Sequence, residues 1–243
     1  MRILYLVPGP MKKHQGQAEL DRRRAFLERH ASAGTDVEIW DTEEGPASIE
    51  SMVEEHLAIP HALKAVARAE REGISAVILG CFGDPGLDAA RELVSIPVIG
   101  PYESSLLVSL TLGHRTSVIT VLDSVVPSLE AIARARGLES RLASVRSVQV
   151  PVLDLARERE GALRAFVEEG RRAIREDRAD VLVPGCMSMA FLGIAESAQS
   201  DLRVPVLNPA VIALKLAELQ VSAGITHSKN AFPFPPKKPS LPT

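Results

Sequence analysis

The chain has 243 residues, of which 46% are hydrophobic and 24% charged, with a formal net charge of −3. This composition is typical of a globular protein with a sizeable core, and the charge gives no basic footprint for nucleic acid. No apolar run approaches the ~20 residues of a membrane helix, and two cysteines are too few for a disulfide framework, so we expect reduced thiols, a cytoplasmic location and neither a nucleic-acid nor a membrane partner.

Short apolar runs alternate with longer amphipathic stretches along nearly the whole chain. The runs predict strands at Ile3–Val7, Asp36–Trp40, Ala76–Leu79, Val98–Ile99, Ser117–Leu122, Val145–Val150, Asp180–Val183 and Val204–Leu207. The stretches between them predict helices at Gln17–Ala33, Ile49–Glu72, Leu87–Val94, Ser104–Leu112, Val126–Arg136, Glu160–Glu176, Met189–Ala198 and Ala210–Ser222. Pro60 is expected to kink or split the second helix. Because the strands are apolar on both faces, the pattern predicts an α/β fold of parallel sheets covered by helices.

The two halves of the chain resemble one another. An apolar strand followed by glycine leads to Cys81 in the first half and to Cys186 in the second. Ile96–Pro101 likewise corresponds to Val204–Pro209, and Ile3–Val7 to Val118–Leu122. Such a repeat suggests duplication into two pseudo-symmetric lobes, which we place at residues 1–100 plus 208–243 and at 101–207. Each lobe would present one cysteine at the carboxyl end of a strand, where open parallel sheets bind ligands.

The positions of the two cysteines suggest acid/base chemistry. Inverting a carbon next to a carbonyl requires one group that removes a proton from one face and a second that returns a proton to the other. A free thiol has a pKa of ~8.5, which is lowered at helix N-termini, and both cysteines precede a predicted helix. Asp84 is a candidate N-cap for the first of these helices. A lone cysteine is more often a small core residue, but equivalent placement in a repeat favours catalysis.

Other kinds of site lack their motifs. No Cys or His lies beside either cysteine at the spacing of a zinc site. A phosphate-binding P-loop, a dinucleotide-binding G-x-G-x-x-G and a hydrolase G-x-S-x-G are also absent from the sequence. We therefore expect neither a metal nor an organic cofactor, and a small molecule as substrate.

Two strings resemble the catalytic signatures of the aspartate/glutamate racemase superfamily, in its hydantoin and allantoin racemase branch. The first is Gly-Cys-Phe-Gly-Asp-Pro-Gly-Leu at 80–87, and the second runs from Glu176 to Val181 and on through Gly-Cys-Met-Ser-Met at 185–189. The resemblance extends over nearly the whole chain. It implies a cleft between two lobes, no cofactor, Cys81 and Cys186 as the acid/base pair, and a homo-oligomer.

Residues next to these signatures are candidates for substrate binding. They are Phe82 and Gly83 after the first cysteine, Met187 and Ser188 after the second, and Thr120, Asn208 and Pro8 at strand ends. Weaker candidates are Ser124, Tyr102, Glu103 and Ser104, for which capping is an equal or better explanation. The family often has an Asn-Pro-Asn loop where this chain has Pro8-Gly9-Pro10, and Asp where it has Asn208, so the substrate can differ from that of other members.

The sequence and this resemblance predict a racemase or epimerase acting on a carbon next to a carbonyl, with a 5-substituted hydantoin or allantoin as the expected substrate. A maleate-type cis–trans isomerase on the same scaffold would also use two cysteines, whereas an arylmalonate-type decarboxylase needs one. A ligand-binding relative without catalytic activity is a further alternative. Whether the proline-rich segment from Phe232 to Thr243 is ordered is left open.

Overall fold

The structure is a computed structural model that describes residues 1–237. Its strands are β1 (Arg2–Val7), β2 (Asp36–Asp41), β3 (Ala76–Leu79), β4 (Val98–Ile99), β5 (Thr116–Thr120), β6 (Leu142–Ser147) and β7 (Val181–Pro184). Its α-helices are α1 (Met11–Gln15), α2 (Gln17–His30), α3 (Met52–Arg71), α4 (Leu87–Leu93), α5 (Pro101–Ser109), α6 (Val126–Ala135), α7 (Arg159–Glu176), α8 (Met187–Phe191), α9 (Ile194–Leu202) and α10 (Pro209–Ser222). Short 3-10 turns occur at Asp123–Val125 and Glu139–Arg141.

The first sheet has the strand order β2-β1-β3-β4, and all its pairs are parallel. The side chains of β1 and β3 are buried on both faces, which explains their continuous apolar sequences. On one face, Leu4, Leu6, Val77 and Leu79 pack in one cluster with residues of α3 and α4. Ala62 and Ala69 of α3 belong to this cluster, and their small side chains let the helix lie close to the sheet.

The second sheet has the order β6-β5-β7 and is also parallel. Its core contains Ile119 and Leu182 together with residues of α7 and α9. A strand predicted at Val204–Leu207 is reduced to a single parallel bridge between Leu182 and Val206. Pro205 has no N–H to donate, and the chain enters α10 at Pro209, so a longer ladder cannot form here. The two parallel sheets flanked by helices confirm the predicted α/β fold class.

Several helices differ from the prediction. The helix expected at Met189–Ala198 is two helices, α8 and α9, because Gly193 adopts a left-handed conformation with φ of 70° between them. Pro60 does not split α3, which is a single helix with Ala58, Ala62 and Val66 buried around the proline. The short helix α1 was not predicted. Its five residues are too few to show a helical period.

The contacts divide the chain into two compact units. Unit 1 consists of Met1–Ile49, Val53–Pro101 and the chain from Ala213 onward, and unit 2 of Glu50–Met52 and Tyr102–Ile212. Glu50 belongs to unit 2 because its carboxylate accepts a hydrogen bond from the Val152 N–H and its carbonyl accepts one from the Ser124 hydroxyl, both at 2.7 Å. Unit 2 therefore contains the segment 50–52 and the first turn of α10, which the predicted lobe boundaries assigned to the other lobe.

The chain after α10 folds back onto unit 1. The backbone N–H of Val98 donates to the His227 ring at 2.7 Å, and the Thr226 hydroxyl donates to the Ser95 carbonyl at 2.6 Å. The Lys229 ammonium donates to the carbonyls of Arg91 and Val94 at the end of α4. The proline-rich segment begins at this contact, because the Phe232 ring lies edge-on to His227 and below the Arg91 guanidinium, whereas residues 238–243 lie outside the described residues. Within residues 1–237, no helix is both long and apolar enough to cross a membrane.

Candidate active site

Cys81 lies just beyond the carboxyl end of β3, after Gly80, and is partly exposed. A turn over residues 82–86 follows it, in which the Asp84 N–H donates to the Cys81 carbonyl at 3.2 Å. Helix α4 starts only at Leu87, and its N-cap is Gly86, without a side-chain cap. The predicted turn after Cys81 and the predicted helix start at Leu87 are therefore confirmed, whereas the expectation that Asp84 caps this helix is wrong. Asp84 is itself in a left-handed conformation with φ of 50°, which belongs to the turn.

Gly80 sets the position of Cys81 against the first strand. Its N–H donates to the Leu6 carbonyl at 2.6 Å, and the Tyr5 hydroxyl donates to the Gly80 carbonyl at 3.3 Å. A Cβ at residue 80 would lie 2.6 Å from the Leu6 carbonyl oxygen and 2.7 Å from the Tyr5 ring. Only glycine allows this close approach, so the residue before Cys81 is fixed by packing.

Cys186 has an equivalent position in unit 2. It follows β7 and Gly185, is buried with 9% of its surface exposed, and is the N-cap residue of α8. The Gly185 N–H donates to the Ile119 carbonyl at 2.7 Å, and the Thr120 hydroxyl donates to the Gly185 carbonyl at 3.0 Å. A Cβ on Gly185 would lie 2.7 Å from Val118 and 2.8 Å from the Thr120 Cβ. The helix after this cysteine begins at Met187, two residues before the predicted start at Met189, and it has only five residues.

The two cysteines thus share one local arrangement. We call β1 and β5 the central strands, because each pairs with a strand on both sides. Each cysteine lies beyond a strand that pairs with the central strand, after a glycine whose N–H and carbonyl are both bound by that central strand. Neither takes part in a disulfide. Cysteine is a residue type that can both remove and return a proton, since a free thiol has a pKa of ~8.5. The two differ in exposure, because Cys81 is partly exposed and Cys186 is buried.

The residues that follow the cysteines were predicted to bind substrate, and the structure gives them distinct environments. Phe82 and Met187 are both buried, with 3% of their surfaces exposed. Gly83 and Ser188 are partly exposed, and a Cβ on Gly83 would meet nothing within 4 Å. Pro8 is buried directly after β1. Gly83 therefore has open space beside its backbone, as a close-approaching ligand would need, and the binding role of all five residues stays a prediction.

Thr120 and Asn208 have side chains that serve the fold. Thr120 is fully buried and uses its hydroxyl on Gly185. The Asn208 amide donates to the Ala190 carbonyl at 3.0 Å and to the Glu196 carboxylate at 2.8 Å, and its oxygen accepts the Ala210 N–H at 3.0 Å. Asn208 therefore caps α10 and joins it to α8 and α9. Direct substrate contact by these two side chains stays a prediction, whereas their hydrogen bonds within the fold are present in the structure.

The weaker candidates also have internal partners. The Tyr102 hydroxyl donates to the Leu129 carbonyl at 2.9 Å, and Glu103 forms an ion pair with Arg136 at 3.0 Å. Ser104 is buried, and the Ser124 hydroxyl is bound to the carbonyl of Glu50. Tyr5 was not predicted as a site residue, although its hydroxyl reaches the residue before Cys81. Its signal was a hydroxyl-bearing residue within the otherwise apolar strand Ile3–Val7.

Asp180, a carboxylate with a lowered pKa, lies at the opposite end of β7 from Cys186. Asp180 directly precedes β7, whereas Cys186 follows its other end. Burial opposes ionisation of Asp180, but the backbone N–H groups of Arg115 and His114 donate to its carboxylate and hold its pKa below the usual value. This carboxylate therefore joins β5 to β7. Among residues 1–237, no group of three or more His, Cys, Asp or Glu side chains is arranged to hold a metal ion.

Comparison with known proteins gives a consistent result. The sequence model of a family described as Asp/Glu/Hydantoin racemase matches residues 21–217. The hydantoin racemase of Pseudomonas sp. (strain NS671) is 39% identical over 80% of this chain and 78% of its own length. The hydantoin racemase of Paenarthrobacter aurescens is 34% identical over 99% of this chain and all of its own. Among solved structures, the allantoin racemase of Pseudomonas fluorescens superposes with a TM-score of 0.91 at 31% identity, covering both chains completely.

Proposed function

The chain belongs to the Asp/Glu/hydantoin racemase family and is an isomerase of the racemase type, and on that premise we propose that it inverts a carbon of a 5-substituted hydantoin or of allantoin, with Cys81 and Cys186 as its acid/base pair. The observation that carries the proposal is the matched placement of the two thiols. Each follows a glycine whose N–H and carbonyl both form hydrogen bonds with the central strand of its own sheet.

The proposed reaction needs one thiol in each protonation state. The thiolate of one cysteine removes the hydrogen on C5, and the thiol of the other gives a proton to the opposite face of the resulting enolate-like carbon. The roles exchange for the other enantiomer, so each turnover leaves the enzyme ready for the reverse reaction. A pair of groups that titrate near neutrality suits this exchange, because each must be a base in one direction and an acid in the other.

The substrate proposal rests on the acidity of the hydrogen and on the residues beside the thiols. C5 of a hydantoin is flanked by an imide-like carbonyl and a ring nitrogen, so a thiolate can remove its hydrogen. The α-carbon of a free amino acid is less acidic, since its carboxylate resists further negative charge and would need added electrostatic stabilisation. The residues after the cysteines, Phe82 and Met187, are apolar and buried. Relatives named hydantoin racemase and a neighbouring structure of an allantoin racemase support the same class.

The experiment is hydrogen exchange in deuterated water. Purified protein should exchange the C5 hydrogen of allantoin or a 5-substituted hydantoin much faster than the α-hydrogen of aspartate or glutamate, after subtraction of the uncatalysed rate. Proton NMR follows the loss of the signal. The opposite ranking would refute the substrate proposal. Exchange with none of these compounds would favour the cis–trans isomerase or the non-catalytic alternative.

Serine variants test the acid/base pair. Cys81→Ser and Cys186→Ser should each lower racemisation by several orders of magnitude, because a serine hydroxyl is far too weak an acid to exchange its proton at neutral pH. Circular dichroism and thermal unfolding serve as controls for the fold. Near-wild-type racemisation by either variant would exclude the two-thiol mechanism. We further propose that the enzyme is cytoplasmic and forms a homo-oligomer. Size-exclusion chromatography with light scattering can test the oligomeric state.

A further inference from the structure

Two hydroxyl groups hold the peptide units that carry the cysteines. The Thr120 hydroxyl donates to the Gly185 carbonyl at 3.0 Å, and the Tyr5 hydroxyl donates to the Gly80 carbonyl at 3.3 Å. Both side chains are fully buried. Each comes from the central strand of its sheet, and each bond crosses to the residue directly before a cysteine. The same contact is thus made in both units by different residue types.

The two hydroxyls reach their carbonyls from the same face of their sheets. Strand pairing sets Leu6 opposite Leu79 in unit 1 and Ile119 opposite Pro184 in unit 2. Tyr5 precedes Leu6 and Thr120 follows Ile119, so each hydroxyl-bearing residue is one position away from the equivalent paired residue. Side chains alternate along a strand, so Tyr5 lies on the face opposite to Leu6 and Thr120 on the face opposite to Ile119. A long tyrosine and a short threonine deliver the same hydroxyl from different positions.

The bound carbonyl fixes the direction of the cysteine backbone. A peptide unit is planar and trans, so its N–H points away from its carbonyl. When the Gly80 or Gly185 carbonyl is held against the central strand, the N–H of the following cysteine and the direction of its N–Cα bond, from which the side chain projects, are set as well. The glycine N–H is also bound, at 2.6 Å to Leu6 and 2.7 Å to Ile119, so both ends of the glycine are restrained.

We infer that Tyr5 and Thr120 are positioning residues, each of which orients one of the two cysteine thiols through the carbonyl of the preceding glycine. The consequence for turnover rests on the proposed function, but the orienting contact does not. The hydroxyl also compensates the partial negative charge of the carbonyl oxygen. Without it, that charge disfavours a thiolate on the next residue.

The experiment compares Thr120→Val with Thr120→Ser. Valine keeps the shape and removes the hydroxyl, whereas serine keeps the hydroxyl. Each protein is treated with iodoacetamide over a range of pH, and the alkylation of both cysteines is measured in the same sample by peptide mass spectrometry. In Thr120→Val, we expect alkylation of Cys186 near neutral pH to slow about threefold or more, with the rate for Cys81 unchanged. Thr120→Ser should behave as the wild type.

Tyr5→Phe gives the reciprocal test. Here alkylation of Cys81 should slow and that of Cys186 should not, and the effect should be smaller because the Tyr5 bond is longer. With one enantiomer of a 5-substituted hydantoin as substrate, kcat should fall more than KM changes in both variants. Equal change of both thiols in one variant, or no change in either, would overturn the inference. If the wild type does not act on hydantoins, the alkylation pattern still decides the positioning role separately from the proposed function.

Discussion

Asn208 shows how a single residue joins three helices. Its amide group donates to Ala190 and to the Glu196 carboxylate, while its oxygen accepts the first N–H of α10. An aspartate could accept the same N–H but could not donate to Glu196. The difference between Asn and Asp at this position therefore depends on the neighbouring carboxylate, which lies twelve residues earlier in the sequence.

We predict that Asn208→Asp destabilises the protein by about 1–3 kcal/mol, because it removes a donor from a buried site and sets two carboxylates together. Urea unfolding at pH 7 measures the loss. Adding Glu196→Gln should restore most of the stability, since the glutamine amide can donate to the new carboxylate. An equal loss in the single and double variants would contradict this account of the site.

At the scale of the elements, an arginine joins the end of α7 to β6. The Nε of Arg146 donates to the Asp177 carboxylate at 2.6 Å and its Nη2 to the other oxygen at 3.0 Å. Glu169 and Glu176 of α7 complete the cluster around the same guanidinium. A bidentate contact between an arginine and a carboxylate is stronger than a single exposed ion pair. The hydrogen bond from Arg146 holds the pKa of Asp177 below its usual value.

This contact predicts an acid dependence of stability. Because the folded pKa of Asp177 is lowered, the carboxylate stabilises the fold above the pKa of the unfolded chain, near 4, and this contribution is lost as the pH falls through the folded pKa. Asp177→Asn should therefore cost about 1 kcal/mol at pH 7, with the difference from the wild type shrinking below pH 4. Urea unfolding of both proteins between pH 7 and pH 2.5 checks the trend. A difference that stays constant with pH would show that the charge is not responsible.

At the scale of the whole molecule, both units apply one plan. A central parallel strand pairs on one side with the strand that precedes the cysteine, in the orders β2-β1-β3-β4 and β6-β5-β7. The Leu182–Val206 bridge takes the place in unit 2 that β4 has in unit 1. Each unit thus places one thiol at the carboxyl end of its sheet. No metal-binding cluster was found among residues 1–237.

We predict that the racemase activity is independent of metal ions. The proposed substrate has an activated hydrogen, and the proposed acid/base pair of thiols would suffice to remove and return it. Dialysis against a strong chelator should leave kcat and KM unchanged, with a zinc enzyme treated in parallel to show that the chelator is effective. Loss of activity that one added metal restores would refute this prediction.

Much of the architecture follows from the sequence alone. Continuous apolar runs such as Ile3–Val7 and Ala76–Leu79 are recognisable as buried parallel strands because both of their faces are covered. The two thiols were found because each follows a strand and a glycine in a repeated string. The alignment of the repeat was less accurate. In the structure Leu6 and Ile119 are equivalent, because each is paired with the residue directly before the glycine that precedes the cysteine. The sequence repeat instead aligned Leu6 with Val121. A shift of two residues keeps every side chain on its face, so hydrophobicity cannot detect it.

Other features were decided only by the tertiary structure. The sequence determined the fold class and the position of each cysteine after a strand and a glycine, since the periodicity of apolar residues and the turn residues are local signals. It could not show that Tyr5 and Thr120 reach the glycines before the cysteines, or that Asn208 contacts Glu196, because these bonds join residues that meet only after the strands pair and the helices pack. Side-chain hydrogen bonds of this kind depend on a few tenths of an ångström in position, and only the packed chain sets that distance.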